Sequence, residues 1–202
     1  IKTQVAIPVD DDHYEVLETN DYFVLLFSGK DLITIAKNDG LFNYQMLDPV
    51  RIGRCNTHLY ESKNQTIVFG TKSFNRSQIV RYDFLSQKRI CQTSSWNLDS
   101  ITDFYYQNDT AYAVLNNSMI VCADMSTGQT RFTRFEASSI SKNIRPYKNG
   151  VIYSTQGVPT LLLHPDVSRM PLPGRLASTI EQIFDNKLYF TTDDPKELVC
   201  FD

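Results

Sequence analysis

Three acidic side chains stand five residues before a recurring asparagine: Glu15, Asp103 and Glu181, with Leu59 and Ile144 at the two remaining equivalent positions. His58 lies one residue before Leu59, and Arg145 one residue after Ile144. If the asparagines mark equivalent places in a closed repeat, the three carboxylates share one level around its axis. Paired carboxylates can act as general acid and as nucleophile or base in glycoside cleavage. Glu15, His58, Asp103, Arg145 and Glu181 are therefore the candidate binding residues, an axial ring. The simpler reading of the same residues is solvated charge at a channel mouth, or pairing with Arg145 and nearby backbone. No catalytic residue is assigned.

Other chemistry-bearing residues form no motif. Asp10-Asp11-Asp12-His13 offers consecutive carboxylates to a hard cation, but the spacing is not that of an EF-hand loop, and it reads as a solvated acidic loop. His13, His58 and His164 lack ligand spacing. Asp193-Asp194-Pro195 reads as a hairpin turn. There is no glycine-rich phosphate loop and no G-x-S-x-G. Cys55, Cys91, Cys122 and Cys200 form no C-x-x-C pair and no zinc spacing. No metal and no cofactor is expected, and binding is favoured over catalysis.

Composition narrows the partners. A net charge of −3 without a Lys/Arg block lacks the footprint of nucleic-acid binding. The longest apolar run, Tyr22–Phe27, is too short to cross a bilayer, so no membrane insertion is expected. The chain begins at Ile1 and shows no signal peptide, which reads as a processed protein, an excised domain or a shortened form. Widely spaced cysteines favour a reducing, intracellular compartment. Four N-x-[ST] sequons, at Asn64, Asn75, Asn108 and Asn116, favour the secretory pathway instead.

What must position these residues is a repeat. Turns at Asn20-Asp21, Asn64-Gln65, Asn108-Asp109, Asn149-Gly150 and Asn186-Lys187 are spaced by 44, 44, 41 and 37 residues, and each adjoins an apolar strand. Asn, Asp and Gly tolerate the positive φ of a tight hairpin. A second marker keeps the same period: strands ending at Asp83, Asp124, Asp166 and Asp202, with Lys37 in the corresponding place of the first unit. An Asp side chain accepts hydrogen bonds from the backbone N–H groups just ahead of it and so stabilises a turn. In the third unit four strands are predicted at 100–107, 110–115, 119–123 and 130–135. Abundant Tyr, Phe, Ile, Val and Thr suit strands, and no segment sustains a 3.6-residue period, so no helix is predicted.

Four strands per unit of about 40 residues is the pattern of propeller blades. The Asp-ended strands, with Ser126-Thr127-Gly128 after one of them, resemble quinoprotein-like and WD40-like propeller repeats. The resemblance covers the whole chain and is one of repeat grammar. It implies an all-β, single five-bladed β-propeller of four-stranded antiparallel blades. Their expected limits are about 13–48, 55–96, 99–136, 140–176, and 178–202 plus 1–9. The N-terminal IKTQVAIPV supplies the fourth strand of the last blade and closes the ring, which removes two open sheet edges. The alternative is a fragment of a larger ring. The Trp-Asp and Gly-His markers of WD40 repeats are absent, Trp96 being the only Trp, as are the Gly- and Trp-rich docking motifs of quinoprotein repeats. The pyrroloquinoline cofactor is therefore not implied.

Function follows from sites rather than folds. The expected role is a non-catalytic platform, a scaffold or receptor domain that binds a protein partner on one face or rim. Tyr14, Tyr44, Tyr60, Tyr105, Tyr106, Tyr147 and Arg145 are candidate anchors. The alternative is a secreted glycan-binding or glycoside-cleaving propeller, since five-bladed glycosidases use carboxylates near the axis.

Overall fold

The computed structural model describes residues 14–27, 31–46, 54–55, 60–62, 65–73, 76–97, 100–116, 119–134, 144–155, 158–166, 168–171, 176–184, 187–192 and 198–201. All regular structure among them is β-strand. The first sheet runs β1 (Tyr14–Glu18), β2 (Tyr22–Phe27), β3 (Asp31–Ala36) and β4 (Phe42–Met46), in that spatial order. The second contains β5 (Arg54–Cys55), β6 (Tyr60–Ser62), β7 (Thr66–Ser73), β8 (Arg76–Asp83), β9 (Lys88–Gln92) and β10 (Trp96–Asn97). Its long central strands β7 and β8 pair together; the short β5 and β6 both pair with β7, and β9 and β10 both pair with β8. It is thus a four-position sheet whose two outer positions are each split in two.

The third sheet is β11 (Ile101–Gln107), β12 (Thr110–Leu115), β13 (Met119–Asp124) and β14 (Thr130–Arg134). These fall within two residues of the strands read from the sequence. The fourth is β15 (Arg145–Tyr147), β16 (Gly150–Thr155), β17 (Val158–Leu163) and β18 (Arg169–Pro171), and the last is β19 (Leu176–Phe184), β20 (Lys187–Thr192) and β21 (Leu198–Phe201). In the first, third, fourth and last sheets the strands pair in chain order, and the pairings are antiparallel, as short turns require. The expected closing strand IKTQVAIPV lies outside the described residues.

The expected turn chemistry holds in the third sheet, whereas Asn20, Asp21, Asn149 and Gly150 do not take the positive φ expected of them. Asn108 and Asp109 both have positive φ, 50° and 58°, the geometry of a type I′ hairpin turn. In the fourth sheet the positive φ falls on Lys148. The Asp markers act as acceptors, as the sequence indicated. Asp83 Oδ1 accepts the N–H groups of Leu85 and Ser86, both at 2.9 Å. Asp124 Oδ1 accepts the Ser126 N–H at 2.8 Å and its hydroxyl at 2.6 Å, and Asp166 does the same with Ser168 at 2.9 and 2.6 Å. Lys37, in the corresponding place of the first sheet, has no such side chain; Asp39 Oδ1 accepts the Leu41 N–H there instead, at 2.9 Å.

The chain divides into two compact units. One holds the first two sheets and the turn Asp124–Gln129; the other holds most of the third sheet with the fourth and fifth. In the first unit, Val24, Leu26 and Leu32 pack against Ile67, Phe69, Val80, Tyr82 and Phe84 of the second sheet. In the second unit, Tyr112, Val114, Ile120 and Cys122 of the third sheet pack against Ile144, Val151, Tyr153 and Leu163 of the fourth. Each cluster fills a seam between two face-packed sheets.

Candidate functional site

Each seam has a polar clip. In the first unit, Gln45 on β4 is buried, with both ends of its amide engaged. Its Nε2 donates to the Phe84 carbonyl at 2.5 Å, and its Oε1 accepts the Tyr82 hydroxyl at 3.2 Å. Nothing in the sequence marked Gln45, because an isolated Gln on an outer strand reads as solvent-facing. In the second unit, Asp103 on β11 reaches from the third sheet to the fourth. Its Oδ2 accepts the Ile144 N–H and its Oδ1 the Phe104 N–H, each at 2.8 Å. Both carboxylate oxygens of this axial candidate are thus engaged by backbone donors.

The remaining axial candidates are separately placed. Arg145 opens β15 immediately after Ile144 and is half-buried, opposite Ile152. Glu15 is exposed on β1 of the first unit. Glu181 belongs to β19, with its side chain outside the described residues, as are His58, Leu59 and the run Asp10-Asp11-Asp12-His13. The structure therefore brings Asp103 to the residue preceding Arg145, and the contact it makes is an inter-sheet clip.

Of the aromatic candidates, Tyr106 and Tyr147 are buried and are not available as surface anchors, and Tyr105 packs half-buried against the seam of its unit. The Tyr60 side chain lies outside the described residues. Tyr14 and Tyr44 are exposed. The register places them on one face of the first sheet. Phe23, Ile35 and Phe42 form a row across β2, β3 and β4; Leu25, Ile33 and Tyr44 form the next; Phe27 lies opposite Tyr14 on β1. Leu25, Phe27 and Ile33 at the centre are buried, whereas Tyr14 (53% exposed), Phe23 (37%), Phe42 (47%) and Tyr44 (38%) form an apolar border. The Tyr44 hydroxyl donates to Asp31 Oδ1 at 2.9 Å, which with burial and the nearby negative charge raises its pKa. The first sheet is thus apolar on both faces.

Protonation equilibria follow the same architecture. The Ser126 and Ser168 hydrogen bonds hold the Asp124 and Asp166 carboxyls below the usual range. At Asp83 burial pushes upward, but the Ser86 and Leu85 hydrogen bonds and Lys88 outweigh it, so the net shift is also downward. Burial pushes the Cys122 thiol up to about 12, and Cys91 also lies above its ordinary value, chiefly through burial. Neither is a poised thiolate nucleophile. Cys91, Cys122 and Cys200 are free thiols. Gly128, in the turn after Asp124, has φ +76°, and a Cβ added there would stand 2.5 Å from the Gln92 carbonyl oxygen. Only glycine lets that turn sit against β9. In the second unit a cleft of about 170 Å³ is lined by Gln107, Asn108, Thr110, Tyr112, Asn149 and Pro165. Among the described residues no cluster of His, Cys, Asp or Glu has the makings of a metal site, and no helix is long and apolar enough to cross a membrane.

No protein-family model matches the sequence, and no curated protein matches it. Solved structures do resemble the fold. The protein described as KlHsv2 with loop 6CD replaced by a Gly-Ser linker superposes with a TM-score of 0.63 at 12% identity, over 96% of this chain and 71% of that one. The computationally designed Ika4 protein gives 0.60 at 11% identity, over 81% and 98%. BamB from Moraxella catarrhalis gives 0.53 at 14% identity, over 92% and 68%. KlHsv2 and BamB are β-propeller proteins. The chain has an all-β, propeller-like fold of repeated antiparallel sheets.

Proposed function

We propose that the chain is a closed five-bladed propeller that acts as a non-catalytic platform for a protein partner. Its blades are those read from the sequence, the last one completed by residues 1–9. Closure is supported by the first sheet. Here the face turned away from the second sheet carries buried Leu25, Phe27 and Ile33. A ring supplies that face with a neighbour.

The observation that carries the platform reading is the apolar border of Phe23, Phe42 and Tyr44 on the first sheet, which stays exposed around the buried centre of Leu25, Phe27 and Ile33 that the neighbouring blade covers. Aromatic side chains of this kind are common anchors of protein interfaces, and contiguous exposed apolar surface marks interaction sites. The axial carboxylates are not proposed as a catalytic device, because the Asp103 oxygens are both engaged by backbone donors. Affinity capture from the native source with mass spectrometry tests the platform. Wild type should retain a protein partner that a Phe42→Asp/Tyr44→Asp variant loses, with both chains equally folded by circular dichroism. Retention of small sugars alone, or equal capture by both chains, contradicts it.

A further inference from the structure

We infer that Asn108 is an N-glycan acceptor and that its first sugar seats in the cleft between the third and fourth sheets. Asn108-Asp109-Thr110 is an acceptor sequon. The structure puts this Asn at the tip of the β11–β12 hairpin, exposed. The second observation is independent of the sequon. The cleft is lined by Asn108 itself, with Gln107, Thr110, Tyr112, Asn149 and Pro165. At about 170 Å³ it is smaller than the pockets that hold drug-sized ligands, and its size suits a single ring. None of the six side chains carries a charge. Gln107 Nε2 and the Tyr112 hydroxyl donate to the Lys148 and Asn149 carbonyls at 3.4 and 3.5 Å. That leaves the Asn149 amide, the Thr110 hydroxyl and the Gln107 and Tyr112 oxygens as neutral groups for sugar hydroxyls, with Pro165 as an apolar wall.

The other sequons differ. At Asn64-Gln65-Thr66 the Thr66 side chain is buried, and its Oγ1 accepts from Arg81 Nε at 3.1 Å. Asn116 is exposed but is not part of this cleft. The modification is a glycosyl transfer. The Asn108 Nδ2 forms a bond to the anomeric carbon of a lipid-linked diphospho-oligosaccharide, the bond from that carbon to the diphosphate oxygen breaks, and the lipid diphosphate leaves with the electron pair. The amide nitrogen gives up one proton to a base of the transferase.

The test is expression of the full chain behind a secretory leader in eukaryotic cells. Secreted and cell-retained protein are both digested for glycopeptide mass spectrometry. Asn108 should be occupied, and Asn108→Gln should remove that glycan alone. The glycosylated chain should unfold about 3 °C above the same chain after enzymatic deglycosylation, whereas an Asn116→Gln change should leave that difference intact. An unmodified Asn108 in both fractions overturns the site. Occupancy without a thermal difference, with rapid enzymatic release from the native protein, overturns the seat in the cleft.

Discussion

The two seams solve one problem with different chemistry. Between the first two sheets, a buried neutral amide on the outer strand β4 satisfies a turn carbonyl and a phenol. Between the third and fourth, a half-buried carboxylate on β11 receives the N–H that precedes β15. The amide is indifferent to pH. The carboxylate accepts in its charged form, and a hydrogen bond to a charged group is worth more than a neutral one. The difference also shows why an acidic residue near the expected axis need not be catalytic. The same side chain that could serve a sugar is committed here to registering one sheet on the next.

Substitutions can separate the two clips. The largest effect is expected for Gln45→Ala, which leaves the Phe84 carbonyl and the Tyr82 hydroxyl without their partner in a buried place. Denaturant unfolding should show a loss of about 3 kcal/mol, and the loss should be the same at pH 5 and pH 8. Asp103→Asn keeps one acceptor but turns an amide donor toward a backbone donor. A loss of about 2 kcal/mol is expected at pH 7, smaller than that of Gln45→Ala. If Asp103→Asn costs as much as Gln45→Ala, or neither costs anything, the contrast between the seams fails.

The smallest effect belongs to the Asx turns. Asp83, Asp124 and Asp166 have folded-state pKa values below the ordinary 3.8. Their stabilisation is therefore present above about pH 4 and lost as pH falls through the lower folded values. Asp124→Asn and Asp166→Asn should each weaken the acid dependence of the unfolding midpoint slightly without changing the neutral-pH fold. A steeper acid dependence in either variant would reverse the sign of the account.

The sequence made some of this legible and hid the rest for physical reasons. The turns could be read because their hydrogen bonds are local: Asp124 bonds Ser126, and Asp166 bonds Ser168, two residues on. Asn108 carries its own positive φ. The clips could not be read. Gln45 meets Phe84 across 39 residues and Asp103 meets Ile144 across 41, and no local pattern encodes which sheet face will pack on which. Tyr106 and Tyr147 misled for the same reason. A tyrosine near a strand end suits either surface or interior, and both of these are buried. The acidic register of Glu15, Asp103 and Glu181 was visible, but its meaning depended on partners far along the chain.

The central claim is closure of the ring. If residues 1–9 pair beside β21 as the fourth strand of the last blade, the strand enters where the preceding one leaves. The two chain ends then lie within roughly 15 Å of one another, given a strand spacing of about 4.8 Å and a short turn. An open stack of five sheets at about 10 Å per sheet separates them by roughly 40 Å. Fluorescence energy transfer between dyes attached enzymatically to the two termini of the folded chain measures this distance. High transfer that collapses on unfolding is the expected result. Low transfer in the folded chain would contradict the closed five-bladed ring.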